Sequence, residues 1–186
     1  MLIKTRHYIE KRDGTTAVEF ALVMAPFLWV LIGILELSLA FAAGTNLEGA
    51  TLNAARKVKT GQAQNASGGA TPESVFFDEL CSGSQIFVDC TDLKYQVVKL
   101  GDNTGFTGAD SVTSSFDSDG EFIDENGNIG NSFEAGGISD VVLIRVAYHY
   151  DFVTPFMSEI FTNNELGKMT FMSTIVMKNE PYDFEF

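Results

Sequence analysis

The sequence is poor in the side chains that bind metals or perform catalysis. It contains two histidines, His7 and His149, and two cysteines, Cys81 and Cys90. Zinc and similar metals need several such ligands together, so we predict no metal site and no cofactor. A glycine-rich phosphate loop, a G-x-S-x-G motif and a histidine–carboxylate cluster are also missing from the sequence. We therefore predict that the protein is not an enzyme and has no small-molecule substrate. His149 lies in an alternating apolar pattern that predicts a packed or surface imidazole.

Basic residues are also few. The chain has 12 Lys and Arg against 25 Asp and Glu, which gives a formal net charge of -13. The charge is unevenly placed, because residues 1–14 hold four basic and two acidic residues, whereas the remainder holds 8 basic and 23 acidic residues. Lys and Arg supply the attraction to phosphates, so this balance argues against nucleic acid or an anionic membrane surface as a partner.

A single long apolar run is present, from Val18 to Ala43, and no charged residue interrupts it between Phe20 and Leu35. About 20 apolar residues cross a bilayer as a helix, so the run predicts one membrane span. The basic leader in front of it keeps the amino terminus cytoplasmic, which places the acidic remainder on the other side. Glu19 lies inside the amino-terminal end of the run, where an acidic side chain is costly and suggests a function.

The residues around Glu19 resemble a class III prepilin signal. A short basic leader is followed by Gly14, four small or apolar residues, the glutamate and an apolar helix. The wider string, DGTTAVEFALVMAPFLWVLIGILE, is similar to the TadE-like minor pseudopilins of the tight-adherence (Tad/Flp, type IVb-like) pilus system. The resemblance implies that a prepilin peptidase cuts between Gly14 and Thr15. It also implies that Glu19 pairs with the new amino terminus of a neighbouring subunit.

The resemblance further implies a structural function in pilus assembly and cell adhesion. The expected partners are the prepilin peptidase, the inner membrane, and other pilus subunits and minor pseudopilins, which would be reached through the amino-terminal helix. The protein would cross the inner membrane once, with its carboxyl-terminal domain in the periplasm, or enter the extracellular pilus. The Asp-x-Ser-x-Ser signature of the larger TadG-like relatives is missing, which favours the TadE or TadF type without separating the two.

Two alternatives remain open for this segment. The helix could be an uncleaved single-pass anchor for a periplasmic binding or adhesive module, in which case Glu19 would be incidental. A secretory signal peptide cut near Ala40–Ala43 is the second alternative, although the apolar run is longer than the usual h-region.

The sequence predicts four consecutive regions. These are a basic leader peptide (1–14), the transmembrane part of the amino-terminal helix (15–43), its amphipathic continuation (44–61) and a periplasmic α+β domain (62–186). The helix is expected to run from about Thr15 to Thr60, with a kink at Pro26, because apolar residues recur at helical spacing beyond the membrane. Those residues are Leu47, Ala50, Ala54 and Val58.

The remaining chain predicts one short helix and several strands. Thr71 and Pro72 are typical of a helix start, and the helix is expected to reach about Leu80. The predicted strands are Gln85–Cys90, Tyr95–Leu100, Ile138–Asp151 and Met169–Lys178. The resulting fold class is α+β, with the long amino-terminal helix packed on a small antiparallel β-sheet in a pilin-like arrangement.

Cys81 and Cys90 would lie outside the cytoplasm, where an even number of cysteines predicts a disulfide; two free thiols are the alternative. Residues 101–137 are rich in Gly, Asp, Asn and Ser and predict a loop, with room for one short helix, that contains the acidic stretch 117–130. Within it Asp124, Asn126 and Asn128 alternate as in a calcium loop. The twelfth position is Ala135 instead of a bidentate glutamate, so a loop with Asx turns is the preferred interpretation.

The carboxyl-terminal part also resembles the TadE-like family. Members tend to end in a tyrosine-bearing strand, a Thr-Pro or similar turn and a last strand closing with Asn-Glu-Pro. The corresponding residues are Tyr148, Tyr150, Thr154-Pro155 and Asn179-Glu180-Pro181.

Overall fold

The computed structural model describes residues 13–101, 105–110, 112, 115–123, 127–162 and 167–182. The chain forms two compact units, with the division between Ser38 and Leu39. The helices are α1 (Asp13–Lys59), α2 (Pro72–Ser84) and α3 (Pro155–Phe161), and Cys90–Asp92 and Gly105–Asp110 form 3-10 turns. The strands are β1 (Leu93–Lys99), β2 (Ser115–Phe116), β3 (Phe122–Ile123), β4 (Ser132–Phe133), β5 (Val141–Tyr150) and β6 (Met169–Lys178).

Helix α1 continues through Pro26 without a break in its helical assignment. Its bounds lie within two residues of those that the sequence predicts. The helix is long and apolar enough, by length and composition, to cross a membrane. This finding confirms the long amino-terminal helix of the predicted fold.

The second unit contains the last part of α1, and there the helix buries one face. Leu47, Ala50, Ala54 and Val58 recur every three or four residues and all lie in the main hydrophobic core. Small residues allow close packing of this face. A Cβ atom at Gly83 of α2 would lie 3.0 Å from the Cβ of Ala50, so the two helices nearly touch there.

The central sheet has the strand order β4-β1-β5-β6. Strand β5 pairs antiparallel with both neighbours, with Ile144 opposite Val97 of β1 and opposite Ile175 of β6. Strand β4 pairs parallel to β1, with Phe133 opposite Val97. The α+β class is therefore confirmed, but the sheet is mixed and not purely antiparallel. A parallel neighbour needs a long connection, and residues 100–131 between β1 and β4 supply it.

The predicted strand Gln85–Cys90 is wrong. Helix α2 continues to Ser84, and its last turn is extended by hydrogen bonds from the N–H groups of Phe87 (3.2 Å) and Val88 (3.1 Å) to the Ser84 carbonyl. The chain then forms the 3-10 turn Cys90–Asp92 before β1 begins. These local hydrogen bonds compete with strand pairing for the same backbone groups, and the apolar letters of this segment do not reveal that competition.

The two ends of α2 are held by different interactions. At the start, the Ser74 N–H donates to the Thr71 hydroxyl (3.1 Å) and the Thr71 N–H donates to the Ser74 hydroxyl (3.0 Å), which is a capping box. At the other end, a disulfide joins Cys81 to Cys90, with their Cα atoms 5.4 Å apart. The disulfide ties the α2–β1 connection back onto the helix that precedes it.

Part of the segment 101–137 covers the second face of the sheet instead of extending into solvent. Leu143 of β5 packs there with Leu100 and Val112 in a second hydrophobic cluster. The guanidinium of Arg145, on the same face, donates to the Val112 carbonyl at 2.8 Å. Isolated apolar side chains thus anchor part of this polar segment to the sheet.

His149 belongs to the same face of β5. One ring nitrogen lies 2.8 Å from the Gly120 carbonyl and the other lies 2.8 Å from the Thr170 hydroxyl. Phe116 of β2 meets the ring edge-on, with centroids 5.4 Å apart. Both ring nitrogens are within hydrogen-bonding distance of a partner, and the ring packs against Phe116. His149 is therefore a structural residue of the sheet.

Candidate functional site

The residues of the predicted processing site lie in the first turns of α1. Gly14, Thr15 and Glu19 are all exposed. A Cβ atom built at Gly14 would meet no heavy atom within 4 Å. The fold of this unit therefore does not need glycine at position 14, and any requirement for glycine there would come from a partner that reads the sequence.

Thr15 and Glu19 share one face of the helix because they are four residues apart. Their spacing corresponds to about 6 Å along the helix axis. An amino group at residue 15 would therefore lie on the same face of the helix as Glu19.

From Phe20 to Leu35 the exposed surface is apolar on every side of the helix. A helix that is apolar all around belongs in a membrane or in a protein core, and not in water. The strongly exposed apolar side chains of this unit are Val18, Phe20, Leu22, Val23, Phe27, Leu28, Trp29, Val30, Leu31, Ile32, Ile34 and Leu35. Glu19 is therefore an acidic group within a surface that otherwise suits lipid or neighbouring apolar helices.

The Asn-Glu-Pro sequence near the carboxyl terminus has a structural role. Asn179 is 2% exposed. Its side-chain amide donates to the carbonyls of Ala135 (2.9 Å) and Gly137 (3.0 Å), and its N–H donates to the Asp140 carbonyl (2.8 Å). Asn179 thereby joins the end of β6 to the segment that leads into β5.

Glu180 contacts the end of α1. Its N–H donates to the Lys59 carbonyl at 2.9 Å, and the two side chains form an ion pair at 3.5 Å. Lys59 is the last residue of the helix, and carbonyls at that end lack partners within the helix. The tail thus satisfies one of them, and we name the contacts of Asn179 and Glu180 the tail clamp.

We expect Asn179→Ala to destabilise the domain by about 2 kcal/mol, because it leaves buried carbonyls without their amide donor. Urea denaturation of the full chain in detergent measures the change. Glu180→Gln is the matched control, since it removes only a partly exposed ion pair that contributes at most about 1 kcal/mol. Equal losses in the two variants would show that the Asn179 amide contributes no more than the surface ion pair.

The other carboxyl-terminal residues of the resemblance contribute to packing. Tyr150 meets Phe152 edge-on at 5.4 Å between centroids and Phe171 at 6.4 Å. Burial raises the pKa of the Tyr148 hydroxyl, and the nearest acidic groups raise it further. Thr154 stands at the start of α3, although its side chain makes no capping hydrogen bond.

The candidate calcium loop is described only in part. Asp124 and Asn126 lie outside the described residues. The carboxylate of Asp117 accepts hydrogen bonds from the N–H groups of Asp119 (3.0 Å) and Glu121 (2.8 Å), which is an Asx turn. Over the described ranges, no three His, Cys, Asp or Glu side chains are grouped so that they could hold a metal ion.

Comparison with known proteins assigns the amino-terminal segment. Residues 14–56 match the family model described as TadE-like protein. Over this segment, the chain is similar to TadE-like proteins. No curated protein and no solved structure matches the chain. The TadE-like match implies a role associated with Tad pili, and it contains Gly14, Thr15 and Glu19 together with the apolar run.

The TadE-like match extends beyond the predicted transmembrane part of the helix, residues 15–43. It ends at Arg56, three residues before α1 ends. It therefore includes Leu47, Ala50 and Ala54, which pack on the sheet. Sequence reasoning identified Asn179-Glu180-Pro181 as a family ending but not as the tail clamp. The available signal was the short Asn-Glu-Pro sequence directly after a strand, where an amide can satisfy loop carbonyls.

Proposed function

We propose that the chain is a minor pseudopilin of a Tad-type pilus that acts in pilus assembly and adhesion. The observation that carries this proposal is the TadE-like match over residues 14–56, which begins at the glycine of the predicted processing site. The geometry supports it, because an exposed glycine, a threonine and a glutamate precede a helix surface that is apolar on all sides.

The proposed pathway begins with the basic leader 1–14 in the cytoplasm and residues 15–43 in the inner membrane. The prepilin peptidase cuts between Gly14 and Thr15 and leaves a charged amino group four residues before Glu19. Neighbouring pilus subunits and minor pseudopilins then contact the exposed apolar surface of the helix. Residues 44–61 and the domain 62–186 lie in the periplasm and can pass with the helix into the pilus.

The pairing of Glu19 follows from the electrostatics of this environment. A carboxylate alone in lipid is unfavourable, and an ammonium group from an adjacent subunit offsets that cost. The apolar surface around Glu19 strengthens the interaction, since a low dielectric increases the attraction between opposite charges.

Deletion of the gene tests the proposal. We expect the deletion strain to lose surface pili, as counted by electron microscopy, and to recover them when the full chain is supplied in trans. The chain without residues 1–43 should fail to restore them, because it lacks the helix that contacts the other subunits. Normal pilus numbers in the deletion strain would contradict the proposal and favour an uncleaved anchor for a separate binding or adhesive module.

A further inference from the structure

The second unit has two distinguishable ends along α1. A Cβ atom at Gly44 would lie 2.8 Å from the ring of Phe171, near the start of β6. At the other end of the same strand, the Glu180 N–H bonds to the Lys59 carbonyl. Strand β6 and this part of α1 therefore run in the same direction. We name the end beside Gly44 the basal end, because Gly44 directly follows the apolar run that ends at Ala43.

Two chain connections lie at the basal end. The α2–β1 connection, residues 85–92, is placed there by the hydrogen bond from the Asn46 side-chain amide to the Gly83 carbonyl (3.2 Å). It leads into Leu93, which pairs with Tyr148 near the last residues of β5. The β5–β6 connection, residues 151–168, joins the basal ends of those two strands and contains α3.

Both connections expose large apolar side chains. Ile86 is 79% exposed and Val153 is 86% exposed. Phe87, on the first connection, and Ile160 and Phe161, on α3, are also strongly exposed. We name these five side chains the basal apolar surface. The exposure of several large apolar side chains at one end of the domain favours a contact surface there.

One connection at the opposite end is different in composition. Residues 60–71, which join α1 to α2, read TGQAQNASGGAT and contain no large apolar residue. Ile138 also lies at the opposite end. It is two residues before Asp140, whose carbonyl accepts a hydrogen bond from the N–H of Asn179, just beyond the end of β6. It is 53% exposed, which makes it a suitable control position.

The partner of the basal apolar surface is indicated by what adjoins it. Leu39 and Phe41, the last large residues of the apolar run, belong to the same unit and are each 54% exposed. The ring of Phe41 lies 6.5 Å from that of Phe171 between centroids. The last exposed apolar residues of the run therefore lie at the basal end of the second unit. Aromatic and aliphatic side chains at the end of a membrane span fit the bilayer interface.

The charges around the basal apolar surface are mainly acidic. Asp89, Asp92 and Glu159 belong to the two connections, and Asp151 pairs with Lys168 at 2.8 Å. Such a rim does not attract anionic headgroups, because that attraction requires Lys and Arg. Contact with lipid would therefore depend on insertion of the apolar side chains and not on headgroup charge.

We propose that the basal apolar surface is a lipid-contact surface, which seats the periplasmic domain on the membrane from which its own helix emerges. Ile86 and Phe87 enter the interface from one connection, and Val153, Ile160 and Phe161 enter it from the other. The disulfide between Cys81 and Cys90 holds the first connection in place. The inference rests on the proposed function in one respect, which is that α1 spans the membrane.

Tryptophan fluorescence in bilayers tests the proposal. The chain has a single tryptophan, Trp29, which lies in the apolar run and reports on the span itself. In a Trp29→Phe background, Ile86→Trp and Ile160→Trp place the reporter on each connection, and Ile138→Trp places it at the opposite end. The full chains are reconstituted in phosphatidylcholine vesicles that carry bromine on the acyl chains close to the headgroups.

We expect the tryptophans at positions 86 and 160 to be quenched by the brominated lipid and to emit at shorter wavelength than the tryptophan at 138, which should stay unquenched. Replacing part of the phosphatidylcholine with phosphatidylglycerol should not increase the quenching. Equal quenching at 86, 160 and 138 would overturn the proposal. So would a blue shift at 86 and 160 without bromine quenching that disappears on dilution of protein in lipid, because that result indicates contact between protein copies.

Failure of the proposed function is distinguishable in the same experiment. In the same vesicle system, phosphatidylcholine with bromine near the ends of the acyl chains reports on Trp29, which lies at the middle of the predicted span 15–43. If Trp29 in the wild-type chain is not quenched by this lipid, the helix does not span the bilayer, and the lipid-contact proposal fails together with the anchoring. If Trp29 is quenched while the reporters at 86 and 160 are not, the anchoring stands and only the lipid-contact surface is wrong.

Discussion

A Gly14→Val chain is expected to remain uncut and to accumulate in the inner membrane with residues 1–14 attached. The reason is that the prepilin peptidase of the resemblance reads a glycine immediately before the cut. The fold gives no competing explanation, because a Cβ atom at position 14 meets nothing within 4 Å. Intact-mass measurement of the chain purified from membranes would show one species that retains the leader, and pili should be lost with it.

Gly49→Val is the matched control for this experiment. Gly49 is also an exposed helical glycine of α1 whose Cβ would meet nothing within 4 Å, and it also lies inside the TadE-like match. The Gly49→Val substitution replaces a helical glycine by valine, as Gly14→Val does, but it lies far from the predicted cut. We expect its leader to be removed as in the wild type. A normal mature mass for Gly14→Val would refute cleavage after Gly14.

A Glu19→Gln chain is expected to be cut normally and then to be absent, or nearly so, from sheared pili. Glutamine keeps the size and the helical conformation of the side chain but removes its charge. The ammonium group of the neighbouring subunit would then lie in an apolar surface without a partner. Charged groups near mid-membrane are unfavourable by about 2–3 kcal/mol, and by less towards the headgroups. Removing one partner of such a pair leaves that cost on the other.

The measurement is the amount of chain in sheared pili relative to the amount of mature chain in membranes. Glu48→Gln is the control, because Glu48 is an exposed glutamate of the same helix beyond the apolar run. It should leave incorporation unchanged. If Glu19→Gln chains enter pili at the wild-type ratio, Glu19 has no pairing role and is simply an acidic residue at the start of the apolar run.

Secondary structure was predictable wherever one local pattern covered a whole element. The length of α1 followed from continuous apolar and then periodic residues, and β6 was predicted with the bounds that the structure has, Met169–Lys178. The failure at Gln85–Cys90 shows the limit of such patterns. The letters of that segment suit a strand, but hydrogen bonds to Ser84 and the disulfide to Cys81 hold it beside α2.

One part of the candidate site could be predicted from the sequence, and the other part could not. Gly14, Thr15 and Glu19 are recognisable from sequence because a partner would read them as a linear motif at the start of a helix. The tail clamp is not recognisable in this way, because Asn179 acts on the carbonyls of Ala135 and Gly137, more than forty residues earlier.

The sequence by itself determined the apolar helix, its basic leader, the position of Glu19 and the TadE-like match, since each depends on residues that are close along the chain. The tertiary structure decided which side of the sheet the polar segment covers, why Arg145 and His149 alternate with apolar residues, and that β4 pairs parallel to β1. It also brought Ile86 and Ile160 to the same end of the domain. These features arise from contacts between segments that are distant along the chain. They could not be predicted from the sequence, because a single exposed isoleucine or a single buried amide forms no periodic pattern.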